Sequence, residues 1–356
     1  MSATFDRTQA FCTRFGLRIP ILLAPMAGVA APALSSAIAN AGGMGSCGVL
    51  LMKPEEIVAW AAEVRSKSNG AFQFNIWIPD PAPRRDAAAE TKVRDFLGTW
   101  GPAVPAAAGD EPLPDFDAQC EAILKAGPPI VSSIMGLYPA DFVARLKQRG
   151  IAWFAVATTV AEARAAEAAG ADAIIAQGME AGGHRGAFDA SMAERRLVGL
   201  FALLPSVVDA VRVPVIATGG IGDSRGVAAA LALGASAAQI GTGFLRCPEA
   251  GISPAWADAL ATTAPEDTMV SRVFSGRPGR SIATKYAVAA TAPDAPEPAP
   301  YPIQRALTAA MRGAATRAGN IDGIQAWAGQ ASSLARAEPA DILAQKIWDG
   351  ARALLA

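Results

Sequence analysis

Residues 213–243 read VPVIATGGIGDSRGVAAALALGASAAQIGTG. Two short apolar runs, Val213–Ala217 and Ala237–Ile240, each run into a glycine-rich turn, and Ser224–Leu233 between them has helical spacing. Buried strand, helix, buried strand is the repeating unit of a parallel α/β sheet. The turns Thr218-Gly219-Gly220-Ile221-Gly222 and Gln239-Ile240-Gly241-Thr242-Gly243 fall at the carboxyl ends of the two strands. Successive glycines there let backbone N–H groups approach a dianion without a Cβ in the way, and the following helix adds its positive end. One such sequence alone is a tight turn; two at matching strand ends make a phosphate cradle, placed where barrels commonly bind one. Gly220-Ile221-Gly222 with Gly226 also imitates a dinucleotide fingerprint, but that site wants Asp or Glu at the end of the next strand. The next strand ends in Gln239-Ile240-Gly241-Thr242, so a mononucleotide phosphate fits better.

Outward from this unit the same rhythm fills the chain. Strands are expected at Ile19–Ala24, Gly43–Val49, Ala71–Ile78, Pro129–Ser133, Ile151–Val156 and Ala173–Ala176 before the final two. Helices are expected at Pro32–Asn40, Pro54–Lys67, Asp117–Ala126, Ala140–Arg149, Val160–Ala169, Leu197–Ala210 and Ser224–Leu233. Gly127, Gly150, Gly170 and Gly234 sit where helices end, as left-handed caps do. Eight strands in strict alternation predict a closed (β/α)₈ TIM barrel formed by residues 1–78 and 117–288. The Pro- and Ala-rich segment 79–116 reads as an excursion after strand three, and 289–356 as a small helical cap over the active site, with helices near Thr308–Ala318 and Pro339–Leu355.

The 356 residues carry a net charge of −1, with 52% hydrophobic and 18% charged residues. That is a globular composition with no electrostatic footprint for nucleic acid. Cys12, Cys47, Cys120 and Cys247 are scattered, so reduced thiols in a cytoplasmic protein are expected, without disulfides or a metal site. Residues 19–52 carry no charge, but Pro25, Pro32 and several glycines interrupt them, so no membrane span is expected. A monomer or a homodimer fits equally.

Candidate site residues gather at strand ends. Strand one runs into Ala24-Pro25-Met26-Ala27-Gly28, strand three carries Gln73 and Asn75, and strand six runs through Gln177 into Glu180-Ala181-Gly182-Gly183-His184. His184 is the only histidine. An unperturbed imidazole titrates near pH ~6.5, and a glycine-rich loop facing a cofactor places it for proton transfer. Asn75 and Gln177 can satisfy loop backbone or, as amides that both donate and accept, hydrogen-bond the edge of a ring cofactor. Arg185 is read as a loop anchor or an anion contact, Lys285 and Arg280 as solvated or anion-facing, and Tyr301, Trp77, Trp327 and Phe274 as pocket walls or core.

These blocks, with Phe274-Ser275-Gly276-Arg277-Pro278 and Trp327-Ala328-Gly329-Gln330, resemble the nitronate monooxygenase family, formerly the 2-nitropropane dioxygenases, over nearly the whole chain. The resemblance implies FMN at the barrel mouth, held by Ala24, Pro25, Met26, Asn75, Gln177, Gly182, Gly183, Gly219, Gly220, Gln239, Ile240, Gly241 and Thr242. It implies His184 as the catalytic base, and oxidation of alkyl nitronates or nitroalkanes by O₂ to a carbonyl compound and nitrite. Two blocks depart from the pattern. Ile134 stands where many members carry a second histidine, and after Tyr301-Pro302 the tyrosine and lysine of one subgroup's pocket are replaced by Arg305 and Ala309. Ile134 and Tyr301 are expected in the substrate pocket. The alternatives are an NAD(P)H-dependent flavin reductase of quinone or enoyl-thioester type on the same barrel, and a phosphate-binding protein without turnover, which would leave His184 idle.

Overall fold

The computed structural model describes residues 3–26, 28–29 and 31–356; Ala27, within the Ala24–Gly28 block, lies outside them. In chain order the strands are β1 Ile21–Leu23, β2 Gly45–Gly48, β3 Phe72–Trp77, β4 Ile130–Ile134, β5 Ala152–Ala157, β6 Ala173–Gln177, β7 Gly183–His184, β8 Val215–Thr218, β9 Ala237–Ile240, β10 Thr268–Ser271 and β11 Gly279–Ile282. Eight of them form one parallel sheet in the order β1-β9-β8-β6-β5-β4-β3-β2. Its two edges meet where Leu22 bridges Met44, with the Leu23 N–H on the Met44 carbonyl at 2.9 Å and the Met44 N–H on the Ile21 carbonyl at 3.1 Å. The expected strands and the (β/α)₈ barrel are therefore present.

Side chains alternate across each strand, and both faces are buried. Leu22, Ile130, Phe154, Ala173, Ile175, Ile216 and Ala237 point inward and fill the barrel. Phe74, Val131, Ala155, Ile174, Ala217 and Ile240 point outward against the helical layer. A helix that the reading above does not include, Ala3–Phe15, closes the amino-terminal floor. Its Phe11 and Phe15 rings lie 6.3 and 4.9 Å from Phe154, inside the inner core. Toward the carboxyl ends the same alternation brings polar groups into register: Gln73 and Asn75 on β3, Ser132 on β4, Gln177 on β6, Thr218 on β8 and Gln239 on β9. The site is positioned by that change from apolar to polar along one face.

Local signals set the helix ends. Asp115 accepts the Ala118 N–H at 2.7 Å ahead of helix Phe116–Ala126, which Gly127 ends with φ 59°. Thr159 and Glu162 form a reciprocal capping box on Val160–Ala168; removing a cap of this kind costs about 1 kcal/mol.

Two expected regions differ. Within 79–116 a helix, Ala87–Gly98, is capped by Asp86. Its Val93 and Leu97 share a satellite core with Phe274, Tyr286, Leu307 and Met311. The tail is not a cap throughout. Its last helix, Ala340–Leu355, packs on the outside of the barrel against Ser224–Ala232 and Pro32–Asn40. Leu343, Ala344, Ile347, Trp348 and Ala351 join the outer core there. The helices after β8 and β1 leave an apolar gap between them, and this amphipathic helix fills it as the eighth of the ring. The four cysteines are buried and free, and no helix of the described residues is long and apolar enough to cross a membrane.

Candidate active site

At the carboxyl ends of the strands lies a cleft of about 1100 Å³, solvent at its mouth included. Ala24, Pro25, Met26, Asn75, Ile134, Gln177, Gly182, Gly183, His184, Gly219, Gly220, Gln239, Gly241 and Thr242 line it, all expected from the sequence. Ile240 does not. It follows Gln239 and precedes Gly241, so the two-residue period turns its side chain outward into the helical layer, 1% exposed. Its carbonyl accepts the Ala24 N–H at 2.9 Å, which ties the first and last strand ends together.

The turn after β8 has the geometry of an anion cradle. Gly219 and Gly220 adopt φ 110° and 68°, and a Cβ on Gly219 would stand 3.1 Å from the Ala181 nitrogen. Among the described residues the N–H groups of Gly219, Gly220 and Ile221 have no acceptor, an arrangement that suits a phosphate oxygen. The expected help from the following helix is not free. Asp223 already caps it, accepting from the Arg225 N–H at 3.0 Å and the Gly226 N–H at 3.3 Å. The cradle is thus made by the turn itself. After β9, a Cβ on Gly241 would meet Ala24 Cβ at 3.2 Å and Met26 Sδ at 3.5 Å, so this turn closes on the loop from β1.

The inward amides hold the framework. Gln177 straps the glycine-rich loop: its Nε2 donates to the His184 carbonyl at 3.1 Å, and its Oε1 accepts the Gly186 N–H at 2.8 Å. Asn75 Nδ2 donates to Ser132 Oγ at 3.0 Å. Gln73 Nε2 donates to Gln239 Oε1 at 3.1 Å, leaving Gln73 Oε1 buried without a partner. Arg185 is a loop anchor, buried and donating to the Gly178 carbonyl at 2.7 Å. Arg280 is also buried, donating to the Met179 carbonyl at 3.0 Å, whereas Lys285 pairs with Asp322 on the surface.

His184 lies on β7, which pairs antiparallel with β11, His184 opposite Gly279 and Gly183 opposite Arg280. Its ring sits edge-on to Trp77 at 4.6 Å and Trp327 at 4.8 Å, with Nε2 2.8 Å from Ser275 Oγ. Burial, with Arg277 and Arg305 nearby, pushes its pKa down to about 3. The near-neutral titration expected from the sequence therefore does not apply: the imidazole is neutral at physiological pH, because aromatic walls and two cations disfavour its charged form. Arg277 is itself buried, pairing with Asp80 and donating to the Ala187 carbonyl at 2.8 Å. Tyr301 stacks on Trp77 at 5.1 Å but faces the adjoining cavities, not the glycine-lined cleft.

The turn after the seventh barrel strand and the imidazole of His184 line one cleft, and the chain as a whole is similar to known proteins. The sequence profile described as nitronate monooxygenase matches residues 10–349. The nitronate monooxygenase of Paraburkholderia phytofirmans is 42% identical over 345 residues, 95% of this chain and 93% of that protein. The chain belongs to the nitronate monooxygenase family. Nitroalkane oxidase from Streptomyces ansochromogenes superposes with a TM-score of 0.87 at 35% identity, covering 98% of this chain and 100% of that one. FabK from Thermotoga maritima does so at 0.75 and 27%, covering 97% and 96%.

Membership of the nitronate monooxygenase family makes this chain an oxidoreductase and sharpens what the sequence left without a role. Ser275 and Arg277 were visible only as members of a matched block, and Asp80 stood in the excursion with no signal. The structure brings Ser275 to the imidazole and Asp80 to Arg277. Ile134 lines the cleft next to Gly186, where an added Cβ would lie 3.0 Å from its side chain.

Proposed function

We propose that the protein binds FMN in this cleft and oxidises alkyl nitronates with O₂ to a carbonyl compound and nitrite, with His184 as the base when a neutral nitroalkane is the substrate. The observation that carries the reading is the sole imidazole, neutral and held between Trp77 and Trp327, opening onto the same cleft as the unpaired N–H groups of Gly219–Ile221. Those N–H groups would hold the phosphate, and Asn75, Gln239 and Thr242 would meet the ring edge. Bound there, FMN supplies the redox chemistry between nitronate and oxygen.

The chain's own groups handle the proton. Ser275 Oγ lies 3.1 Å from the Arg277 carbonyl and 3.3 Å from the Arg277 N–H. When its hydrogen goes to that carbonyl, the His184 Nε2–H donates to Oγ and the Nδ1 lone pair is left to accept a proton. A neutral nitroalkane that loses its α-proton becomes an anion as His184 becomes a cation, so the two charges form as a pair and offset the burial that otherwise disfavours protonation. Arg305 near the ring favours the same anion. The satellite core carries Tyr301 and Arg305 to the rim and acts as the cap.

Acid extraction should release FMN from yellow protein, and ethyl nitronate should yield nitrite under air. Released FAD, or rapid anaerobic bleaching by NADH or NADPH with no nitrite from any nitronate, would replace this reading with the reductase.

A further inference from the structure

Beyond His184 the cleft opens into a wider one bounded by Tyr301, Arg305, Arg312, Arg317 and Trp256. No Asp or Glu lines it, and none of its three arginines forms an ion pair among the described residues. Arg312 is fixed in place by neutral acceptors alone: Nε donates to Thr308 Oγ1 at 3.0 Å, Nη1 to Gln325 Oε1 at 2.9 Å and Nη2 to the Arg305 carbonyl at 2.9 Å. The Arg305 guanidinium, half-buried, has no hydrogen-bond partner among the described residues. Burial lowers the Arg312 pKa to about 10, and Arg305 adds to it as it does at His184. Arg305 and Arg312 are partly desolvated and lack a carboxylate, with the exposed Arg317 at the rim; cations so placed repel one another unless an anion joins them.

We propose that this arginine-lined cleft is a subsite for the phosphate or diphosphate group of a substrate or co-substrate whose reacting end lies at His184. Guanidinium forks bind phosphate oxygens bidentately; the Arg305 fork has no hydrogen-bond partner among the described residues, and Arg312 keeps two N–H groups beyond its three bonds. The subsite is separate from the FMN cradle. The two clefts share His184, Trp77, Trp256 and Trp327, but Gly219–Ile221 line only the first and the arginines only the second. The inference rests on the proposed function in placing the reacting end at His184 and in the flavin-loaded protein used to test it.

The test is calorimetric titration of the flavin-loaded protein with inorganic pyrophosphate and with acetate, at low ionic strength, while the flavin spectrum is followed. Pyrophosphate should bind at least tenfold tighter than acetate with the flavin retained. Arg305→Gln should weaken it at least tenfold, and Arg305→Lys only a few-fold. Because the Arg305 side chain holds nothing in place, the variants should keep the parent's circular dichroism. Pyrophosphate binding no tighter than acetate, binding unchanged in Arg305→Gln, or binding that expels the flavin would each overturn the subsite. NADPH and coenzyme A titrated in parallel separate a nucleotide from a thioester carrier, since the true source should lose affinity in Arg305→Gln. The readout needs no turnover, so a protein inactive on nitronates that binds pyrophosphate through Arg305 would sink the proposed reaction and keep the subsite.

Discussion

Replacing His184 by Asn should remove part of the pH dependence of stability. In the native fold Trp77, Trp327, Arg277 and Arg305 hold the imidazole near 3 instead of its ordinary 6.5. Between those two values the unfolded chain binds a proton that the folded chain refuses. Stability is therefore complete above about 6.5 and falls as the pH drops below it. Taken at face value, the shift gives a loss of about 1.9 kcal/mol between pH 7 and pH 5. The ring borders an open cleft, and solvent screening brings the expected figure to about 1 kcal/mol. Urea unfolding of the parent and His184→Asn at the two pH values measures it: the parent should lose about 1 kcal/mol more than the variant over that interval. Equal losses would refute the claim that burial keeps this imidazole neutral. The same shift predicts that kcat/KM on a neutral nitroalkane shows no titration of the base between pH 8 and pH 5, and a break near 6.5 would contradict it just as directly.

Other outcomes follow from single contacts. Gly220→Val puts a branched side chain at φ 68°, 3.2 Å from Glu180 Cβ, and strains the turn, so flavin content and melting temperature should both fall; full FMN occupancy would move the phosphate elsewhere. Ser275→Ala frees the imidazole tautomer and should lower kcat/KM on neutral nitroalkanes roughly tenfold, with a smaller effect on preformed nitronates and an unchanged flavin spectrum. If both substrate forms suffer alike, Ser275 does not set the proton-accepting nitrogen. Asp80→Asn leaves the buried Arg277 without its counter-ion and should cost about 2 kcal/mol in urea unfolding; a change under a few tenths would show that the pair contributes nothing net.

The barrel was legible because the parallel strands are short, mainly apolar runs alternating with helical spacing, and three of them, Ala173–Gln177, Val215–Thr218 and Ala237–Ile240, run directly into glycine. The glycine turns, the amides on β3 and β6 and His184 were legible for the same reason: strand ends place them. The two-residue period along Ala237–Gly241 already assigns Ile240 to the outer face, and a family motif that groups consecutive residues hides that parity. The pairing of β7 with β11 was not legible, since Gly279-Arg280-Ser281-Ile282 has no strand pattern and becomes a strand only because the histidine loop lies beside it. The floor helix carried a signal in Thr8, Phe11, Cys12 and Phe15, spaced three, four and seven apart. The placement of Ala340–Leu355 depended on a gap between other helices, which no local pattern encodes. The state of His184 depended on Trp327, Arg277 and Arg305, all far away in sequence.

The phenylalanine-stoppered floor has a consequence for traffic. With Phe11 and Phe15 packed under Phe154, the barrel is a blind alley open at one end. An organic molecule reaches His184 from the carboxyl-end side, where the clefts bordered by Trp77, Trp256 and Trp327 lie. Substrate and product therefore share one end of the barrel.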